Sequence, residues 1–250
     1  MFAVAVASVL LYAAFTGITG VRVLALANKT RQLPEGLLGC SYLIGGMLGW
    51  ALLLVGGALV VARPDKRPLA VLLQSAGLFC LNCGILTTSL FSWRVFTPRS
   101  VLAAALFFTQ AAVLVADYVH NGVLTDAALP PATQPWFWPG MLARNFTYVW
   151  LSFITFRYYF MLRKRLPLGL ADPVATNRVL LWGLIAFITL LYCVFASACS
   201  VLDLWDRHGE VLFLITGIMN SVGAVLGLLA FVPPARYLRW VEARAPKVTE

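Results

Sequence analysis

Seven stretches of this chain stay apolar for long enough to cross a lipid bilayer as helices, and that feature decides most of what it can fold into. A hydrocarbon core of ~30 Å takes about 20 apolar residues at helical rise. The stretches run Phe2–Ala27, Leu37–Ala62, Leu69–Trp93, Val101–Val119, Met141–Leu162, Val179–Leu204 and Val211–Val232. Between them lie breakers: Asn28–Glu35 with Pro34, Arg63–Pro68, and Thr97-Pro98-Arg99, while Pro233-Pro234 closes the last. None alternates polar and apolar at every second residue, which rules out membrane strands. Composition agrees, since only 12% of residues are charged, where a soluble domain carries about 25%. The expected fold is therefore all-α, a seven-transmembrane-helix bundle spanning residues 1–234, followed by a cytoplasmic tail over 235–250.

Orientation follows from the 19 Lys and Arg residues. With seven spans, one side holds Arg63, Lys66, Arg67, Arg144 and Arg207. The other holds Arg22, Lys29, Arg31, Arg94, Arg99, Arg157, Arg163, Lys164, Arg165, Arg178, Arg236, Arg239, Arg244 and Lys247. Basic residues collect on the cytoplasmic side, which places the N-terminus outside and the C-terminus in the cytoplasm. The net charge of +9 thus reports topology first, and no nucleic-acid partner is expected. Only Met1 precedes the first apolar run, so that run reads as a retained helix rather than a cleaved signal. In the tail, Leu238 and Val241 alternate with Arg236 and Arg239 in the manner of a short interfacial amphipathic helix. The abundance of Ala, Arg, Val and Leu points to a GC-rich bacterium and its inner membrane.

Polar groups inside a membrane are costly, so they mark either helix packing or a site. The fifth span carries Asn145, Tyr148, Ser152, Thr155 and Tyr159 at steps of three and four, which share a face. The fourth carries Gln110, Asp117 and Asn121, the third Ser75, Asn82 and Ser89, the sixth Thr189, Tyr192, Cys199 and Asp203, and the seventh Thr216 and Asn220. The first two spans look nearly bare. Two readings stand: hydrogen bonding between helices, or a ligand pocket in the outer half of the bundle. The candidate ligand contacts are Asn82, Gln110, Asp117, Arg144, Asn145, Tyr148, Tyr192 and Asn220. Asp117 and Arg144 form an ion pair or reach separately for the interface. His120, one turn beyond Asp117, is a neighbour of that pair or a solvated loop residue.

Other motifs carry less. Gly45/Gly49 and Gly223/Gly227 each form G-x-x-x-G, which lets helices approach closely and is read as packing within the bundle. Cys80 and Cys83 form a C-x-x-C in mid-span, read as small buried hydrophobes. Pro135-Trp136-Phe137-Trp138-Pro139 is an interfacial aromatic belt or a lid. No Ser-His-Asp set, H-E-x-x-H or phosphate-binding loop occurs, so the reading leans away from an enzyme, and no metal is expected.

Seven helices with the N-terminus out, the C-terminus in and an amphipathic tail resemble the architecture of rhodopsins and G-protein-coupled receptors. The motifs of those families are missing. Lys29, Lys66, Lys164 and Lys247 all lie outside the spans, which excludes a retinal Schiff base, and no cofactor is expected. Trp93-Arg94-Val95 lacks an acidic partner, and Val232-Pro233-Pro234 ends the last span without Asn-Pro-x-x-Tyr. The expected function is receptor- or sensor-like, with a small amphipathic ligand bound in the bundle and a cytoplasmic partner protein receiving the signal. The alternative is a small-solute transporter or channel-like protein.

Overall fold

The structure, a computed structural model, describes residues 2–124, 132–202, 204–231 and 233–244, with no strand among them. Helix α1 is Phe2–Thr30, and α2 runs without a break through Leu33–Cys40, Ser41–Gly49 and Trp50–Ala62. Helix α3 is Arg67–Phe96, and α4 is Val101–Asp117 continued by Tyr118–Leu124. Then come α5, Phe137–Arg165, α6, Pro173–Val201, α7, Leu204–Phe231, and the short α8, Ala235–Ala243. The middle stretch of α2 and the last stretch of α4 are wound in wider π-type turns. Such turns are rare, and they recur at functional sites.

Among the described residues, six segments are long and apolar enough to cross a membrane: Leu10–Thr30, Leu33–Val60, Arg67–Phe96, Val101–Leu124, Pro173–Val201 and Leu214–Phe231. They make this a multi-pass membrane protein. The fifth expected span, Met141–Leu162, lies inside α5, but α5 is the most polar of the long helices and is not among the six. Helix ends follow local chemistry. Ser100 accepts the N–H of Ala103 at 3.2 Å to start α4. Asp172 accepts that of Ala175 at 2.7 Å to start α6, with Pro173 in the first turn. Gly169, at φ 66°, adopts the left-handed conformation that halts the chain after α5.

The long helices form a ring. Each packs against its neighbours in sequence, α7 closes onto α1, and α3 reaches across to α5. Glycines set the tightest contacts. A Cβ on Gly45 would lie 2.8 Å from the Cα of Gly84, and one on Gly49 would lie 2.9 Å from the backbone nitrogen of Leu81. Gly45 and Gly49 therefore join α2 to α3 within the bundle. Leu102, Phe108, Leu142 and Phe153 are exposed on the outer surface, where lipid tails belong. Helix α8 docks on α6, where Asn177 Nδ2 donates to the Tyr237 hydroxyl at 2.7 Å and Val241 is buried. Arg236 and Arg239 stay exposed, so α8 has an apolar docked side and a basic free side.

The aromatic run of Pro135–Pro139 is not a loop cluster. Trp136 precedes α5, and Phe137, Trp138 and Pro139 form its first turn. Proline fits there because the first N–H groups of a helix have no intrahelical acceptor. The first two spans are not bare either. Thr16 and Thr19 are buried, and Tyr12 shares their face at helical spacing. Asp203 and the side chain of His208 lie outside the described residues.

Candidate functional site

A polar cluster joins α3, α4 and α5. Asp117 is 1% exposed and pairs with Arg144, whose Nη2 donates to its Oδ2. Asn121 Nδ2, one turn on, donates to Asp117 Oδ1 at 2.8 Å. Arg144 Nε donates to Asn82 Oδ1 at 3.1 Å, and Asn82 Nδ2 reaches the Leu114 carbonyl at 3.4 Å. Gly140 closes over Asp117 so tightly that no side chain would fit there. Above the pair, His120 stacks on Trp136 at 4.7 Å, and its Nδ1 lies 2.9 Å from Asn121 Oδ1. An ion pair this deep neutralises two costly charges, and the amides bond much of what remains. Arg144 is held as a positioned donor through Nε and Nη2.

Deeper in the same wall, Gln110 Nε2 donates to the Ala143 carbonyl at 2.8 Å and to Thr147. Thr147 in turn shares a hydrogen bond of 2.9 Å with Ser89. This second knot again ties α3, α4 and α5 together.

The opposite side of the bundle differs. Tyr12 of α1, Tyr42 of α2, Tyr148 of α5 and Tyr192 of α6 lie deep in the protein, with Tyr148 an electrostatic neighbour of the other three. Each keeps some accessible surface, and no hydroxyl among them has a hydrogen-bond partner among the described residues. Across from them stands α7. Ile218, Val222 and Val225 of α7 are exposed, so Thr216, Asn220, Gly223 and Gly227 face inward. Gly227 is buried, yet a Cβ there or on Gly223 would meet nothing within 4 Å. Thr216 Oγ1 is buried without a partner. The inward face of α7 therefore keeps open space over Gly223 and Gly227.

Aromatic contacts tie α2, α6 and α7 together. Tyr42 meets Phe231 edge-on at 5.7 Å, and Phe231 stacks on Trp182 at 6.0 Å. Trp50 lies against Tyr192 at 6.2 Å. Two grooves on the outer surface, one along Ala13, Gly17 and Met47 and one along Leu106, Pro139 and Phe146, are apolar and face the lipid side.

The eight residues picked from sequence fall into separate sets. Asn82, Gln110, Asp117 and Arg144 meet in the polar wall. Tyr148 on α5 and Tyr192 on α6 make no hydrogen bond among the described residues, and Asn220 is on the inward face of α7. Asn145 lies between α5 and α6, where its Nδ2 is 3.5 Å from Ser197 Oγ and its Oδ1 is buried without a partner. Sequence reasoning missed Tyr12, Tyr42 and Thr147. The signal for Tyr12 was present in the spacing of Tyr12, Thr16, Thr19 and Val23 at steps of four, three and four. The five free cysteines form no disulfide, and no group of three or more His, Cys, Asp and Glu residues is placed to hold a metal among the described residues. No protein family, no curated protein and no solved structure matches this chain, so its function has to be argued from this geometry.

Proposed function

We propose that the chain is a seven-span receptor- or sensor-like protein of a bacterial inner membrane, with its N-terminus outside and its C-terminus in the cytoplasm. A small amphipathic ligand binds inside the bundle, changes how the helices pack, and the basic inner loops pass the change to a partner protein. The seventh span is α5. Its 29 residues reach about 43 Å at helical rise, its buried charge, Arg144, is neutralised by Asp117, and Arg163, Lys164 and Arg165 gather in its last turn. The ring order of the helices and the uneven split of basic residues favour the same topology.

One observation carries the ligand reading: four tyrosine hydroxyls deep in the bundle make no hydrogen bond among the described residues, and Gly223 and Gly227 of α7 have open space where a side chain would be. Polar groups at such depth are normally hydrogen-bonded, and bundle interiors are normally filled. A bound guest would satisfy both. The transporter reading has one observation of its own, the wide turns of Ser41–Gly49 inside α2, because interrupted helices line transporter sites.

The test is purification of the full chain in mild detergent, with mass spectrometry of what co-elutes, beside a Gly227→Leu variant that fills the space. The expected result is a small molecule held by the native protein and absent from the variant. Native protein that is ligand-free, with Tyr148→Phe changing stability alone, would overturn the reading. Saturable flux of a labelled solute in proteoliposomes would favour the transporter instead. Reporter fusions at Glu250 and in the loop between α4 and α5 test the topology, and a cytoplasmic signal from that loop would overturn it.

A further inference from the structure

We propose that the outer groove between α1 and α2 holds one anionic phospholipid of the inner leaflet, with its phosphate between Arg22 and Lys29 and an acyl chain along Val21, Ile18 and Ala14. The proposal is independent of a ligand inside the bundle. From the reading above it takes only the orientation of the chain.

Charge comes first. Arg22 lies within the membrane-crossing segment Leu10–Thr30 and is exposed. Lys29, seven residues on, is exposed on the same face, with the small, exposed Ala25 between them. Neither cation has a carboxylate partner, because the one ion pair among the described residues joins Arg144 to Asp117. Glu35, the first acid in the chain, accepts from the Thr30 hydroxyl instead. Lys29 is at the inner surface already, since α1 ends one residue later. Arg22 is placed differently. It is eight residues before that end, or about 12 Å. The Cα–Cβ bonds of a helix tilt toward its N-terminus, which here means away from the inner surface and into the membrane. A bare guanidinium at that depth is costly. The anion a membrane supplies is a lipid phosphate, and the arginine fork matches it.

Shape gives the direction. From Arg22 the groove passes over Gly17 and Ala14 as far as Ala13, with Met47 of α2 as its other wall. Ala13 is nine residues from Arg22, or about 14 Å, and the lining over that length is apolar. The groove is thus charged at its inner end and apolar toward the middle of the membrane. A lipid of the inner leaflet has the same polarity, whereas one from the outer leaflet would enter with its head at the apolar end. Met47 lies over Gly17, and its flexible thioether lets that wall fit a chain. The groove volume of about 430 Å³ is in the range of small-ligand sites.

The experiment equilibrates the full chain, purified in detergent, with equimolar phosphatidylglycerol and phosphatidylethanolamine and reads the retained lipid by native mass spectrometry. One phosphatidylglycerol is expected to stay bound, preferred by at least about tenfold over phosphatidylethanolamine. Arg22→Gln and Lys29→Gln should each lower that preference by about fivefold, the worth of one cation beside an anionic lipid. Ala14→Phe fills the groove, keeps both cations and should abolish retention. All three side chains are exposed, so none of these variants should lower the melting temperature. Arg236→Gln with Arg239→Gln on α8, and Gly227→Leu inside the bundle, should leave the preference intact. Equal retention of the two lipids by the native protein would overturn the proposal without recourse to any variant. A preference that survives Arg22→Gln or Ala14→Phe would overturn it too, and one lost in the α8 variant would move the lipid to that helix. The reporter fusions decide the orientation separately, and the Gly227→Leu comparison decides the ligand inside the bundle.

Discussion

Between α3, α4 and α5, the charged and amide side chains are bonded to one another, whereas the hydroxyls of Tyr12, Tyr42, Tyr148 and Tyr192, on α1, α2, α5 and α6, have no partner among the described residues. Both regions bury polar atoms, and they do so with different chemistry. Asp117, Arg144 and Asn82 carry charges or strong dipoles that would be expensive to leave bare, so they are closed on each other. A phenol is mostly ring. Left unpaired it costs far less than a carboxylate, and it gives an apolar wall with a polar tip. The glycines tell the same story. Gly45 and Gly84 bring α2 and α3 into backbone contact, while Gly223 and Gly227 hold nothing. One pair of glycines cements two helices, and the other leaves room beside α7.

The largest effect should come from breaking the cemented side at its charge. Asp117→Ala leaves Arg144 unneutralised at depth and should cost about 3–5 kcal/mol of stability. Melting in detergent reads this, and adding Arg144→Met in the same chain should recover much of the loss. If the single and double variants melt together, the pair is not buried as described. Next come the glycines that touch. Gly84→Ala and Gly140→Ala force a methyl group into the Gly45 backbone and the Asp117 carboxylate respectively, and each should cost about 1–3 kcal/mol.

A smaller effect of opposite sign sharpens the contrast. Gly227→Ala meets only open space, so it should gain about 0.5–1 kcal/mol from helix propensity. A loss comparable to that of Gly84→Ala would mean the space is not there. The smallest effect belongs to the phenols. Thr147→Val should cost about 1 kcal/mol, because its hydroxyl joins Ser89 and Gln110, while Tyr148→Phe removes a hydroxyl that bonds to nothing and should cost less than about 0.5 kcal/mol. Equal losses from the two would show that Tyr148 is bonded within the protein.

Part of the site was legible in one dimension. Asp117 and Arg144 lie at corresponding ends of consecutive spans, so their meeting needed only an antiparallel turn between them. Tyr148 announced itself through the three-and-four spacing of polar residues along α5. Tyr12 was passed over because its neighbours on the same face are threonines, which bond back to their own helix, as Thr16 does to the Tyr12 and Ala13 carbonyls. Such residues barely register as polar, and the stripe looked bare. Thr147 was missed for a related reason, since it lies off the face defined by Asn145 and Tyr148 and faces α3 and α4 instead.

Hydropathy along the chain was enough to establish the class: long apolar helices, their approximate limits, the breakers between them and the amphipathic α8. These are sums over one segment, and a bilayer reads them one segment at a time. The meaning of the two G-x-x-x-G motifs was not available at that level. They are the same pattern, yet Gly45/Gly49 presses against α3 and Gly223/Gly227 faces open space. Which partner a face meets depends on how each helix is rotated and at what height it crosses its neighbour, and neither quantity belongs to a single helix. Only the packed ring decides whether a small residue brings two helices together or leaves room between them.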